Sequence, residues 1–156
     1  MKKTGMVLVL SMMLLAAVNA FAVDTAALDK VSVLMPKNQV LAILGAPDEQ
    51  MTLNDGLKAE VYHVKSSEPL LHAGCIYNSE GILMGLSFVF SGHTAADIID
   101  RLKHHGFTPI PGQANAPRFA GFDDDTGRPL IAILTERDNL TTITTFEKAF
   151  YEAQVK

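Results

Sequence analysis

Residues 35–49 read MPKNQVLAILGAPDE, the pattern of one short amphipathic helix with a definite stop. Pro36 suits a first helical turn, where its missing N–H has no intrahelical partner to lose and its fixed φ is already helical. Val40, Leu41, Ile43 and Leu44 form an apolar stripe at helical spacing, with Lys37, Asn38 and Gln39 mostly outside it. Gly45 can take the left-handed conformation that closes a helix, and Pro47 prevents a restart. The spacing predicts a helix over 36–44. Two turns do not persist alone in water, so this helix must be held by a sheet or by other helices.

The order Met35, Gln39-Val40, Leu44-Gly45-x-Pro47, then a turn and an extended segment carrying Tyr62, resembles the SmpA/OmlA (BamE-like) family of small envelope proteins over roughly residues 27–90. The resemblance implies a β-lactamase-inhibitor-like module and a part in outer-envelope assembly or maintenance. Two departures stand out: Leu34-Met35-Pro36 replaces the Gly-Met-Ser/Thr entry usual before that helix, and no lipid-anchor cysteine opens the mature chain.

Lys2 and Lys3 precede an uncharged apolar run over 6–17, and Ala20-Phe21-Ala22 supplies a small-x-small cleavage site. This predicts a signal peptide over 1–22, cut after Ala22, and a periplasmic or secreted location. The run is shorter than the roughly 20 residues a bilayer span needs, and no later stretch suffices, so no membrane span is expected after cleavage. Without Lys2 and Lys3 the 13 basic residues become 11 against 17 acidic. That balance argues against nucleic acid and anionic membrane surfaces as partners, since both need a basic face. The single cysteine, Cys75, cannot pair within the chain and reads as a small buried hydrophobe on a strand.

Along the chain, residues 24–34 suggest a first short helix, Asn54-Asp55-Gly56 a turn, 57–65 a strand, 66–69 a break, and 70–77 a second strand. Residues 78–81 make a hairpin loop with Gly81 at positive φ. Ile82, Met84, Leu86, Phe88 and Phe90 then alternate with Leu83, Gly85, Ser87 and Val89, which predicts a strand whose first face the 36–44 helix covers. Thr94 and Asp97 read as a capping box opening a helix with an Ala95, Ile98, Ile99 and Leu102 stripe, closed by Gly106. Residues 109–117 are turn-rich and read as an exposed loop. Strands follow over 118–122, 130–136 and 140–145, with turns at 123–127 and 137–139. Phe146, Ala149, Phe150 and Ala153 fall at helical spacing and predict a closing helix against the sheet.

Helix, glycine, proline, strands: the second half echoes the first, with Gly45 and Gly106 about sixty residues apart. The expected fold class is therefore α+β, two helix-plus-antiparallel-sheet units over 23–90 and 91–156 (a β-lactamase-inhibitor-like tandem), with short helices packed on one sheet face.

No metal site and no cofactor is expected. Adjacent His104 and His105 point about 100° apart on a helix, and His63, His72 and His93 have no ligand spacing. The acidic run Asp123, Asp124, Asp125 begins the alternation of a calcium loop, but Gly127 comes too early and Glu136 is at the wrong offset, so a solvated hairpin tip is favoured. No nucleophile elbow or phosphate loop occurs. The residues thus predict a non-enzymatic protein–protein interaction module, its contacts carried by residues 109–117 and by Asp123, Asp124 and Asp125, and the SmpA/OmlA resemblance implies envelope partners. The alternative is a small-molecule or cation-binding sensor using the 123–127 tip, and after it a hydrolase pairing His63, His72 or His93 with an aspartate.

Overall fold

In a computed structural model the chain is described over residues 22–53, 56–65, 69–112 and 116–155. Residues 1–21 of the expected signal peptide, the Asn54-Asp55 pair, residues 66–68 of the expected break and 113–115 of the expected loop lie outside these segments. In chain order the elements are β1 (Val23–Asp24), α1 (Thr25–Leu28), α2 (Lys37–Leu44), β2 (Glu49–Thr52), β3 (Lys58–Lys65), β4 (Leu70–Tyr77) and β5 (Leu83–Ser91). They continue with α3 (Ala95–His104), β6 (Thr108–Ile110), β7 (Arg118–Phe122), β8 (Pro129–Arg137), β9 (Leu140–Glu147) and α4 (Lys148–Gln154).

Strand residues make up 46% of the structure and helix 23%, so the sheet is the organising body and each helix is a local cover. Among the described residues nine strands form one mixed sheet in the order β1-β3-β4-β5-β9-β8-β7-β6, with β2 also on β3. Among these described strands β1 alone runs parallel to its neighbour. This corrects the expectation of two helix-plus-antiparallel-sheet units. The physical reason lies in β5: once β4 has taken one of its hydrogen-bonding edges, the other would leave a long apolar edge open. β9 takes it instead, from Gly85 against Phe146 to Ser91 against Leu140.

One face of the sheet is covered by α1, α2 and α3. Leu28, Val31, Val40 and Leu44 pack over Tyr62, Ala73, Cys75, Tyr77 and Leu83. Farther along, Val33, Ile98 and Phe107 pack over Phe119, Leu130, Ala132, Leu134 and Ile143. Phe88 touches both groups, so the core is continuous across the β5–β9 seam. Each fully buried aliphatic side chain in it contributes about 1.5–3 kcal/mol. The helices do not all share this face, a second departure from the expected class. α4 lies on the other one, its Phe150 and Tyr151 rings 6.3 and 6.0 Å from Phe146.

Helix α2 begins one residue later than its sequence suggests. Pro36 is its N-cap with an extended ψ of 144°, and Gly45 closes it at φ 81°, the conformation glycine adopts without a Cβ penalty. The first helix expected over 24–34 shrinks to the single turn of α1, and residues 49–52, to which the sequence reading gave no strand, form β2. Pro109, expected in a loop, pairs with Phe119 in β6.

The alternation along β5 holds from Gly85 onward and breaks just before it. Ile76 pairs with Gly85 but Tyr77 pairs with Leu83, so Met84 is an inserted bulge residue and the face changes there. Leu83, expected opposite Leu86, is fully buried on the same covered face.

Candidate functional site: an open apolar sheet face

Period-two alternation sends every second residue of the sheet to the face that α1, α2 and α3 leave uncovered. The pairing registers align these residues in rows across the strands. One row runs Val61, Gly74, Ser87, Thr144, Ile133, and the next runs Ala59, Ile76, Gly85, Phe146, Ile131. Small residues sit in the middle of both rows, Gly74 and Ser87 in the first and Gly85 in the second, with larger side chains beside them. The result is a groove of about 450 Å³ whose outer wall is Met51 and Leu53 and whose far wall is Ile133, Thr135 and Phe146.

Two contacts shape the groove. The Phe146 ring lies flat on Gly85, where a Cβ would come within 2.6 Å of it, so only glycine lets the ring settle there. The Phe146 ring also packs against Phe150 and Tyr151, and Arg118 donates from Nη1 to Tyr151 Oη at 3.4 Å, so α4 closes this end. On the floor, Ser87 Oγ and Thr144 Oγ1 are hydrogen-bonded to each other at 3.0 Å. The exposed Met51 side chain stands at the rim.

At the opposite end the next row is His63, His72, Val89, Thr142 and Thr135. The two imidazoles are directly paired and meet edge to face, centroids 4.7 Å apart. Asp48 Oδ2 accepts from the His63 backbone N–H at 2.6 Å and lies 3.1 Å from Nδ1, an arrangement that favours the proton on Nδ1. His72 Nδ1 is buried without a partner. A histidine and a carboxylate therefore do converge beside a concave surface. Among the described residues, however, no serine, threonine or cysteine hydrogen-bonds either ring, and no group of three or more metal-ligating side chains is present.

The residues singled out in sequence fall elsewhere. Val40 and Leu44 are buried in the covered core, Gly45 ends α2, and Pro47 leads into β2. Thr94 is the N-cap of α3 but, at φ −105° and ψ 11°, makes no side-chain capping bond, because an extended backbone is what aims a cap hydroxyl at the first turn. Its hydroxyl is buried without a partner, and Glu136 Oε1 instead accepts from the Ala95 N–H at 3.3 Å. Asp97 sits in the first turn of α3. Gly106, at φ 80°, ends that helix in a Schellman arrangement, with Gly106 N–H to Lys103 O and Phe107 N–H to Leu102 O.

The acidic tip is largely occupied with its own architecture. Asp123 Oδ1 accepts from the N–H groups of Asp125 and Thr126 at 3.0 and 2.8 Å, and Asp125 Oδ2 accepts from Ser32 Oγ at 3.1 Å. Asp124 points outward, 3.7 Å from His105.

A buried polar cluster under α2 escaped the sequence reading. Glu60 is 1% exposed and its carboxylate meets Lys37 Nζ at 2.6 Å, Gln50 Nε2 at 3.2 Å and Tyr62 Oη at 3.2 Å. Lys37 also sits over the Tyr77 ring. Burial, with Glu60 nearby, pushes the Tyr62 phenol well above its ordinary range. Burial also raises the phenol of Tyr77, helped by Cys75 and Glu60, and pushes the Cys75 thiol up to about 12. These groups are held in their neutral forms by burial.

No family model, no curated protein and no solved structure matches the chain.

Proposed function

We propose that the protein is a non-enzymatic binding module of the cell envelope that engages its partner through the open sheet face. The observation that carries this is the groove itself: an apolar concavity on a rigid sheet, its floor hydroxyls Ser87 and Thr144 bonded to each other, is built to hold something apolar without altering it. A periplasmic or secreted setting is supported by the basic-then-apolar leader over 1–22, and an envelope role by the resemblance of residues 27–90 to the SmpA/OmlA family. The 123–127 tip, favoured for contacts on sequence grounds, is a weaker candidate because Asp123 and Asp125 are committed to the turn and to Ser32. No helix among the described residues is long and apolar enough to cross a membrane.

The test is affinity capture from gently solubilised envelope with residues 23–156 as bait, beside two variants. Val89→Asp places a charge in the groove; Asp123, Asp124 and Asp125 all changed to Ser remove the tip. Capture of a stoichiometric component by wild type and the tip variant, lost in Val89→Asp with its circular dichroism unchanged, is the expected result. Equal capture by wild type and a folded Val89→Asp refutes the assignment of the face.

A further inference from the structure

We propose that the His63–His72 pair binds a divalent transition metal ion of the imidazole-preferring series: zinc, copper or nickel. The site lies at the end of the open face and is independent of what fills the groove. Nothing in the sequence spacing of the two histidines matches a metal motif. The β3–β4 register supplies what the spacing lacks, setting them directly opposite each other on the uncovered face. Opposed residues have Cβ atoms about 4.5–5.5 Å apart, within reach of one ion above the sheet.

The ring spacing fits a shared ion. A metal–imidazole bond of about 2.0–2.1 Å puts the ion roughly 3.2 Å from the ring centre, so two rings on one ion, at angles between square and tetrahedral, have centres about 4.5–5.2 Å apart. The His63 and His72 centres are 4.7 Å apart. Their nitrogens are available as well. Asp48 Oδ2 lies 3.1 Å from His63 Nδ1 and favours the proton there, which leaves the Nε2 lone pair for an ion. A carboxylate on the other ring nitrogen is the usual orienting partner of a metal-bound histidine. The Asp48 side chain is only 8% exposed and also accepts from the His63 backbone N–H at 2.6 Å, so a fixed group aims the ring. His72 Nδ1 is buried and, among the described residues, no protein group bonds it.

The surrounding charge favours a cation. Asp24 stands opposite Lys65, and Glu49 opposite Val61, on the same face. With Asp48 on His63, the carboxylates around the pair outnumber the Lys65 ammonium among the described residues, and Arg137 is held by Asp138 at 3.1 Å. Magnesium and calcium prefer carboxylate, carbonyl and water oxygens. Two imidazoles suit zinc, nickel and copper instead, copper most tightly. Two protein ligands leave the remaining positions to water or to a donor from a bound partner.

The experiment is calorimetric titration of residues 23–156, carrying no affinity tag, with zinc chloride and separately with magnesium chloride. Expected are one zinc per chain, at least a hundredfold weaker magnesium binding, and tenfold or greater loss of zinc affinity in His63→Gln and in His72→Gln. Asp48→Asn weakens zinc about tenfold. The double variant His104→Gln, His105→Gln, which removes the adjacent pair on α3, binds zinc as wild type does. Circular dichroism reports whether each variant folds. A second measurement needs no variant: substoichiometric copper(II), which is paramagnetic, broadens the ring-proton NMR signals of His63 and His72 before those of His93, His104 and His105. Undiminished zinc affinity in a folded His63→Gln, loss of zinc binding in the His104, His105 double variant, or copper broadening that spares His63 and His72 overturns the proposal. So does magnesium binding as tightly as zinc.

Discussion

Replacing Lys37 by Met tests the buried polar cluster in a way that separates charge from packing. The methionine keeps an unbranched stem over the Tyr77 ring and removes only the ammonium that meets Glu60 at 2.6 Å. At that distance two unit charges attract by about 6 kcal/mol at an effective dielectric of about 20. The net effect is smaller, because Lys37 keeps 39% of its side-chain surface in water, while Glu60 retains the hydrogen bonds from Gln50 and Tyr62. Stranding a buried charge costs roughly 3–5 kcal/mol; the retained donors and partial solvation bring the expected loss for Lys37→Met to about 2–4 kcal/mol. Adding Glu60→Gln removes the stranded charge while keeping hydrogen-bonding capacity, so the double variant recovers to within about 1 kcal/mol of wild type. Urea unfolding followed by circular dichroism, with unchanged m-values, supplies all four corners of the cycle. A Lys37→Met loss under 0.5 kcal/mol, or additive single effects, would refute the claim that Glu60 depends on this partner.

The remaining predictions concern single positions. Gly85→Ala drives a Cβ to 2.6 Å from the Phe146 ring, so it should cost about 1–3 kcal/mol and raise hydrogen exchange in α4, which leans on that ring. Thr94→Val removes a buried hydroxyl that has no partner at nearly constant shape, and should leave stability unchanged or raise it by up to about 1 kcal/mol in a thermal melt. The Cys75 thiol, held up to about 12 by burial, retains its proton more tightly folded than unfolded. Its contribution is therefore complete below about pH 9 and is lost between about pH 9 and 12, at about 1.4 kcal/mol per pH unit. The raised Tyr62 and Tyr77 phenols add to the same alkaline loss, and Cys75→Ala should make the decline of urea midpoints over that interval less steep.

Sequence signals were strongest where one residue type has one local use. Gly45, Gly81 and Gly106 all stand at positive φ, Gly45 and Gly106 because each closes a helix and Gly81 because it completes the turn that begins at Asn78. Asp138 and Asn139 turn the β8–β9 hairpin at positive φ, as a short polar pair between two β-prone runs must. Local reading fails where a long-range partner decides. Thr94 has the residue type of a cap and Asp97 the spacing of a capping box, yet the Thr94 N–H that the Asp97 carboxylate was to accept from goes to Thr141 Oγ1, 47 residues away. Met84 looks like one more member of an alternating strand, and only the pairing of Tyr77 with Leu83 makes it a bulge. The polar string at 49–52 becomes a strand because β3 offers it an edge, which no property of its four residues announces.

The same dependence on register explains why the groove was invisible in the sequence although its residues were not. Gly85, Ser87 and Val89 could be assigned to one face of β5, and the apolar partners Leu86, Phe88 and Phe90 to the other; the apolar face drew attention because it had to be covered. The opposite face matters for what its residues lack. Gly74 and Gly85 have no side chain and Ser87 and Ala59 little, and register gathers them beside Ile76, Ile133 and Phe146. A surface of small residues walled by large ones is concave, and with only α4 on that face the concavity stays open at its histidine end. Had β5 and β9 slipped by two residues so that Ser87 faced Phe146 and Thr144 faced Val89, the two hydroxyls would no longer meet and both would face the groove. The mutual hydrogen bond at 3.0 Å thus ties the central seam of the sheet to the apolar character of the one surface left for a partner.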